Sequence, residues 1–189
     1  MLDRFIRKSV RGFSPYQVQE YKDVVKLDAN ENNHLAYVFN EKLSKAIKDD
    51  LKMNEYPDSD SNELRRIIAS KFGYEPENIM ISSGADQMIR IIVNAFIDPG
   101  ESILTFTPSF SIYSLFTRLM GGKAIEVPLG EDFKFDYDEF IKAVETQEAK
   151  VIFICSPNNP TGGIISREEI IGILDKAESI VVLDEAYIE

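Results

Sequence analysis

The residues equipped for chemistry stand at the ends of apolar runs. Ile180-Val-Val-Leu183 leads into Asp184-Glu-Ala-Tyr187. A continuously apolar run of this length reads as a buried strand, so Asp184 is a carboxylate delivered to a strand's carboxyl end. A buried carboxylate is costly unless it meets a cation or hydrogen-bond donors. A cationic group on a ligand is such a partner, and the nearby Tyr187 offers a hydroxyl. Upstream, Val151–Cys155 leads into Ser156-Pro-Asn-Asn159-Pro-Thr-Gly162. From that strand end Asn159 offers an amide, although Asn-Pro alone also marks an ordinary turn. A third segment, Ser82-Ser-Gly84-Ala85-Asp86-Gln87, follows an apolar run and opens a helical pattern. Its small residues allow close backbone approach, and first-turn amides with the helix dipole favour an anion. Taken alone, such a segment is as well explained by capping. Tyr113, just after the run Ser102–Phe106, can stack on a bound ring, whereas Phe106, Phe110 and Phe116 read as core.

Those segments need a scaffold that brings strand ends together. Ile79–Ser82, Ser102–Phe106, Ala124–Val127, Val151–Cys155 and Ile180–Leu183 read as five strands. The last two are continuously apolar and rich in Val and Ile, as strands covered on both faces are. Helical patterns cover Asp86–Phe96, Ser111–Met120, Tyr137–Glu148 and Ser166–Lys176. Ser166-Arg-Glu-Glu169 is a capping-box pattern, and Asp136-Tyr-Asp-Glu139 is a near variant. Alternating strands and helices predict an α/β fold with a mainly parallel sheet and flanking helices. Before them, residues 1–26 read as an arm, and Glu41–Leu51 and Glu63–Phe72 as helices. Residues 1–54 are read as the arm and the start of a small domain, and 55–189 as the first part of a large ligand-binding domain.

Composition excludes several alternatives. The 189 residues carry a formal net charge of −11, from 21 basic and 32 acidic residues. Phosphate-backbone binding needs clustered Lys and Arg, so a nucleic-acid partner is not expected. One cysteine, Cys155, allows no intrachain disulfide, and one histidine, His34, no histidine-rich metal site. His34 reads as a surface loop residue and Cys155 as a small apolar filler. No apolar run has signal-peptide or membrane-span character, so neither a membrane partner nor a bound metal is expected and the location reads as cytoplasmic. There is no Walker loop and no dinucleotide fingerprint.

Nearly the whole chain resembles one family. Ser14-Pro-Tyr16, Leu27-Asp-Ala-Asn30-Glu-Asn32, Tyr56-Pro-Asp58, Ser83-Gly-Ala-Asp86, Pro108-Ser-Phe-Ser-Ile-Tyr113, Ser156-Pro-Asn-Asn-Pro-Thr-Gly162 and Asp184-Glu-Ala-Tyr187 are together similar to the amino-terminal half of histidinol-phosphate aminotransferases. These are fold-type I enzymes that use pyridoxal 5'-phosphate. The resemblance implies that the Ala85 and Asp86 amides hold the cofactor phosphate and that Tyr113 covers its ring. Asn159 and Tyr187 would bond the 3-hydroxyl, and Asp184 the ring nitrogen. Tyr56 would reach the phosphate in the other subunit, implying a homodimer with composite sites, and Tyr16 would line the pocket for a small-molecule substrate.

The implied activity is reversible amino transfer between L-histidinol phosphate and 2-oxoglutarate in histidine biosynthesis. The alternatives are another fold-type I enzyme, such as a threonine-phosphate decarboxylase or an amino-acid aminotransferase, and a non-catalytic fragment. The lysine that this family links to its cofactor is expected beyond Glu189. All thirteen lysines precede Asp184, the last being Lys176, and none matches the family position. The chain by itself is therefore expected to be inactive. The stretch Asn32-Asn-His34 also departs from the family's usual Pro-containing continuation.

Overall fold

A computed structural model describes residues 2–13, 24–26, 29–49, 52 and 54–189. The chain divides into two compact units, one of Met1–Phe13 with Ser82–Glu189 and the other of Ser14–Ile81. The larger unit is built on four parallel strands, β1 (Ser102–Thr107), β2 (Lys123–Pro128), β3 (Val151–Cys155) and β4 (Ile180–Asp184), in the order β2-β1-β3-β4. Its helices are α3 (Gly84–Phe96), α4 (Ile112–Met120), α5 (Tyr137–Thr146) and α6 (Arg167–Lys176). The α/β expectation holds.

Each helix starts where the sequence supplies a reason. Ser166 and Glu169 form a complete capping box on α6, and the Asp136 side chain accepts from the Glu139 amide on α5. Gly121, at φ +87°, closes α4 in the left-handed conformation, with its amide on Arg118 O. The core draws on both faces of the sheet. All five residues of β3 are buried, as an apolar run between two helical layers requires. Phe106 meets Phe135 and Phe140 edge-on, and Ile89 and Val93 of α3 belong to the same core cluster.

One expected strand is absent. Ile79 has extended backbone, but Ile79–Ser82 joins no ladder among the described residues. A strand exists only where a neighbour takes its backbone groups, and the four strands present pair with one another in β2-β1-β3-β4 order.

The smaller unit contains α1 (Ala36–Asp49) and α2 (Asn62–Phe72). α1 starts earlier than the sequence suggests, after a single 3-10 turn at Asn33–Leu35, where the His34 amide folds onto the Asn32 side chain. His34 lies exposed in that turn. The start of α2 is held by an upstream carboxylate. Asp58 accepts from the Asn62 amide at 2.7 Å and the Asp60 amide at 3.1 Å, whereas Ser61 makes no cap bond. Among the described residues, no helix is long and apolar enough to cross a membrane.

Candidate functional site

The strand order places a crevice at the carboxyl edge of the sheet. From β1 the chain moves outward to β2, then returns past β1 to β3 and continues to β4. The direction of winding therefore reverses between β1 and β3, and open parallel sheets bind ligands at such a reversal. Pairing is also weakest there. β1 and β3 share two register pairs, Ile103 with Val151 and Leu104 with Ile152. By contrast β1–β2 pairing continues to Thr107 and Pro128, and β3–β4 pairing to Cys155 and Asp184. Past Leu104 the two central strands leave a gap between their carboxyl ends.

Two loops border that gap, and a buried asparagine ties them. Asn158 Nδ2 donates to Pro108 O at 3.0 Å and to Thr161 Oγ1 at 2.8 Å, while Ser109 Oγ donates to Asn158 Oδ1 at 2.7 Å. Ser156 is buried beside it, with its amide on Asp184 O and its Oγ accepting from the Ile165 amide. The Thr107–Pro108, Ser156–Pro157 and Asn159–Pro160 peptide bonds in these loops are cis. Of the two adjacent asparagines, Asn158 is committed to holding the loops and Asn159 is half-buried at the edge.

Asp184 sits at the end of β4 in register with Cys155. Its Oδ1 accepts from the Ala186 amide at 3.0 Å, and its Oδ2 accepts from the Tyr113 hydroxyl at 2.6 Å. Tyr113 comes from the first turn of α4 and is fully buried. Its ring lies flat on Phe153, at 4.7 Å and 11°, and takes the edge of Phe110 at 5.7 Å. Residues 153 and 155 share one face of β3, so Tyr113, Phe153, Cys155 and Asp184 form one cluster on the α4 side of the sheet. Burial, and then the Asp184 carboxylate, push the Tyr113 phenol far above its ordinary range. The proton therefore stays on the phenol, and the bond has a fixed direction from Tyr113 to Asp184. Burial also pushes the Cys155 thiol up, which keeps it neutral and poorly nucleophilic.

The start of α3 faces the same edge. α3 leads through Ile97 into the amino end of β1, so it runs against the strands and packs beside α4. A thirteen-residue helix and a six-residue strand are each about 20 Å long. By its length and direction α3 extends toward the carboxyl ends of the strands. Gly84 opens the helix at φ +77°, and a side chain built there would meet nothing within 4 Å. Ser83 makes no side-chain cap, and Ala85 and Asp86 are exposed. The Ser83 amide is held by Gln87 Oε1 at 2.5 Å, and the exposed first turn of α3 at Gly84, Ala85 and Asp86 follows it.

The structure joins Tyr113 to Asp184 directly and puts Asn159 on the loop that follows β3 beside them, whereas Ala85 and Asp86 stand apart in the first turn of α3. Tyr187 follows Asp184 in an exposed turn closed by the Ile188 amide on Glu185 O. Tyr56 belongs to the other compact unit and is fully exposed there. Tyr16 lies outside the described residues. Lys176, at the end of α6, pairs with Glu145 at 2.8 Å near the amino edge of the sheet. The expectation from sequence misses Asn158, Ser109 and Phe153. Asn158 had a faint signal in the threonine that closes its turn. Ser109 and Phe153 look like any loop serine and any strand aromatic.

An α/β unit whose parallel sheet reverses its winding between β1 and β3, with a strand-end aspartate one strand beyond, belongs to the class of switch-point ligand binders. The family can be stated more narrowly. The model of aminotransferase class I and II matches residues 22–189, and the chain belongs to that family. It is 38% identical over 192 residues to histidinol-phosphate aminotransferase of Caldanaerobacter subterraneus subsp. tengcongensis, covering 100% of this chain and 54% of that protein. It is 38% identical over 201 residues to histidinol-phosphate aminotransferase 1, chloroplastic, of Arabidopsis thaliana, covering 100% and 47%. The chain thus spans about half the length of the curated relatives it matches.

Among solved structures, alanine aminotransferase from Pyrococcus furiosus aligns with a TM-score of 0.68 and 32% identity, over 78% of this chain and 40% of that one. Histidinol-phosphate aminotransferase from Sinorhizobium meliloti, in complex with pyridoxal-5'-phosphate, aligns with a TM-score of 0.72 over 79% and 40%. At 24% identity, that likeness speaks for the fold alone.

Proposed function

We propose that these residues form the cofactor-binding floor of an aminotransferase that moves an amino group between L-histidinol phosphate and 2-oxoglutarate. The observation that carries this reading is the Asp184 carboxylate, held by two donors at the carboxyl end of β4, one strand beyond the winding reversal of a parallel sheet. The choice of amino donor rests on the 38% identity to histidinol-phosphate aminotransferases along the whole chain.

The donor set fits pyridoxal 5'-phosphate. The Ala85 and Asp86 amides would hold the phosphate at an exposed helix start. A net charge of −11 repels phosphate at long range, so the local amides and helix dipole have to select it. Asp86 contributes through its backbone; its carboxylate lies in the first helical turn, where it steadies the helix itself. Asp184 would keep the ring nitrogen protonated, and Asn159 and Tyr187 would donate to the 3-hydroxyl. Asn158 and Ser109 hold the two loops so that Asn159 and Tyr113 keep their places.

When bound, the cofactor supplies an electron sink for the carbanion formed as the substrate loses its proton. The Asp184 carboxylate would strengthen that sink by holding the positive charge on the ring. None of the thirteen lysines in this sequence is assigned the task of moving the substrate proton. Tyr56, fully exposed on its own unit, is assigned to the phosphate of a second subunit in a homodimer, and Tyr16 to the substrate pocket.

Equilibrium dialysis of the chain with pyridoxal 5'-phosphate tests the site. One saturable equivalent, competed by inorganic phosphate and weakened in Asp184→Ala, is expected. Binding that saturates at no defined ratio, or that ignores Asp184→Ala, sinks the reading. Glutamate formation from L-histidinol phosphate and 2-oxoglutarate, measured on the polypeptide that carries these residues, tests the donor.

A further inference from the structure

The resemblance expects Tyr113 to lie across a cofactor ring, yet the structure gives it other neighbours. Its ring is 0% exposed, is stacked face-on against Phe153 and has the edge of Phe110 against it. Its hydroxyl is committed to Asp184 Oδ2 at 2.6 Å. Resting on the function proposed above, we infer that Tyr113 is a positioning residue that fixes the Asp184 carboxylate for the cofactor's ring nitrogen, acting through Asp184 instead of stacking on the ring.

A carboxylate offers two lone-pair sites on each oxygen. The Ala186 amide takes one on Oδ1, and the Tyr113 hydroxyl takes one on Oδ2. One site on each oxygen is left, and Asp184 is only half-buried, so a third donor can still approach. With both oxygens held, the carboxylate cannot turn about its last torsion. The ring nitrogen then meets an acceptor already oriented, without the cost of ordering it on binding.

The holder is itself rigid. Tyr113 starts α4, its ring is wedged between two aromatic rings, and Thr117 Oγ1 donates back to its carbonyl at 2.8 Å. Burial and the neighbouring carboxylate keep the phenol protonated throughout the range in which the protein is handled. The donor and acceptor roles therefore do not exchange. Phe153 supplies the platform that aims the hydroxyl. Asp184 is consequently set by two elements at once, its own β4 turn and α4.

The experiment compares two probes, pyridoxal 5'-phosphate and its carbocyclic counterpart, in which a C–H group replaces the ring nitrogen. The ratio of their dissociation constants reports the contact between ring nitrogen and Asp184. Tyr113→Phe keeps the aromatic packing and removes only the hydroxyl. It is expected to cut the preference for pyridoxal 5'-phosphate about tenfold, the scale of losses when a group behind a primary ligand is removed. Affinity for the carbocyclic counterpart should stay unchanged.

If Tyr113→Phe weakens both probes equally, Tyr113 is a ring cover or a structural residue, and the inference falls. It falls too if the preference rises, because the phenol would then be competing with the ring nitrogen. A second measurement needs no variant. The phenol proton held by Asp184 should give a slowly exchanging downfield proton resonance that survives saturation with pyridoxal 5'-phosphate. Its disappearance on saturation would mean that the hydroxyl is displaced. A parent chain with no saturable binding, or with no preference between the two probes, overturns the proposed function itself and this inference with it.

Discussion

The Tyr113–Asp184 bond can be weighed without any ligand. Asp184→Ala removes the acceptor and leaves a phenol hydroxyl in a residue that is 0% exposed. The Cys155 sulfur beside it is a weak acceptor, and burial denies it water. A buried hydroxyl left unpaired costs about 1–3 kcal/mol. The Ala186 amide also loses its partner, but Ala186 is exposed and water replaces the carboxylate. Asp184→Ala should therefore cost about 2 kcal/mol, which lowers the thermal midpoint of a domain this size by roughly 4–8 °C. Tyr113→Phe removes the donor and leaves a half-buried carboxylate that keeps one amide and gains water, at about 1 kcal/mol. The double variant strands neither group. When Tyr113→Phe is already in place, the Asp184→Ala step should thus cost almost nothing, with a coupling of about 2 kcal/mol. Urea unfolding followed by circular dichroism measures all four proteins, provided that they share one denaturant slope. Additive effects, or an Asp184→Ala variant within about 0.5 kcal/mol of its parent, would show that the bond does not hold the site.

Two further outcomes follow from the helix starts. Gly84→Ala should destabilise the larger unit by about 1–2 kcal/mol, because φ is +77° and the added methyl meets nothing, so that the whole cost is the left-handed backbone. Gly84→Asn should lose less, and an unchanged urea midpoint for Gly84→Ala would refute the assigned conformation. Asp58 is held below its ordinary value, first by the Asn62 amide and then by the Asp60 amide. Its folded value lies under its unfolded one, so its support of α2 is complete above the unfolded value and is lost as pH falls through the folded one. Helicity at 222 nm should fall on acidification more in the parent than in Asp58→Asn; identical acid profiles would count against the cap.

What the sequence made legible is what a periodic or one-sided pattern records. The α/β alternation, the buried β3 and the capping box at Ser166 each follow from runs of residues, because burial and capping act locally. Ile79–Ser82 shows the limit. Its apolar character is real and its backbone is extended at Ile79, but strand status depends on a neighbour that no local pattern can name. The site divides the same way. Asp184 and the α3 start were visible because strand and helix ends are written in composition. Asn158 and Asn159 are the same residue type side by side, and only the fold decides that Asn158 binds Pro108 and Ser109 from the other loop.

The partner of Tyr113 was hidden for a related reason. Tyr113 and Asp184 are far apart in the chain, and they meet because β1 and β4 flank β3 and α4 starts directly after β1. The sheet order that opens the crevice between β1 and β3 is therefore also what carries α4's first turn over Phe153 to the end of β4. Loss of the pairing between β1 and β3 would separate the start of α4 from the strand end that carries the aspartate. It would also take away the donor that holds that aspartate. In this fold the register of two residue pairs, Ile103 with Val151 and Leu104 with Ile152, sets both the opening of the site and the orientation of the Asp184 carboxylate.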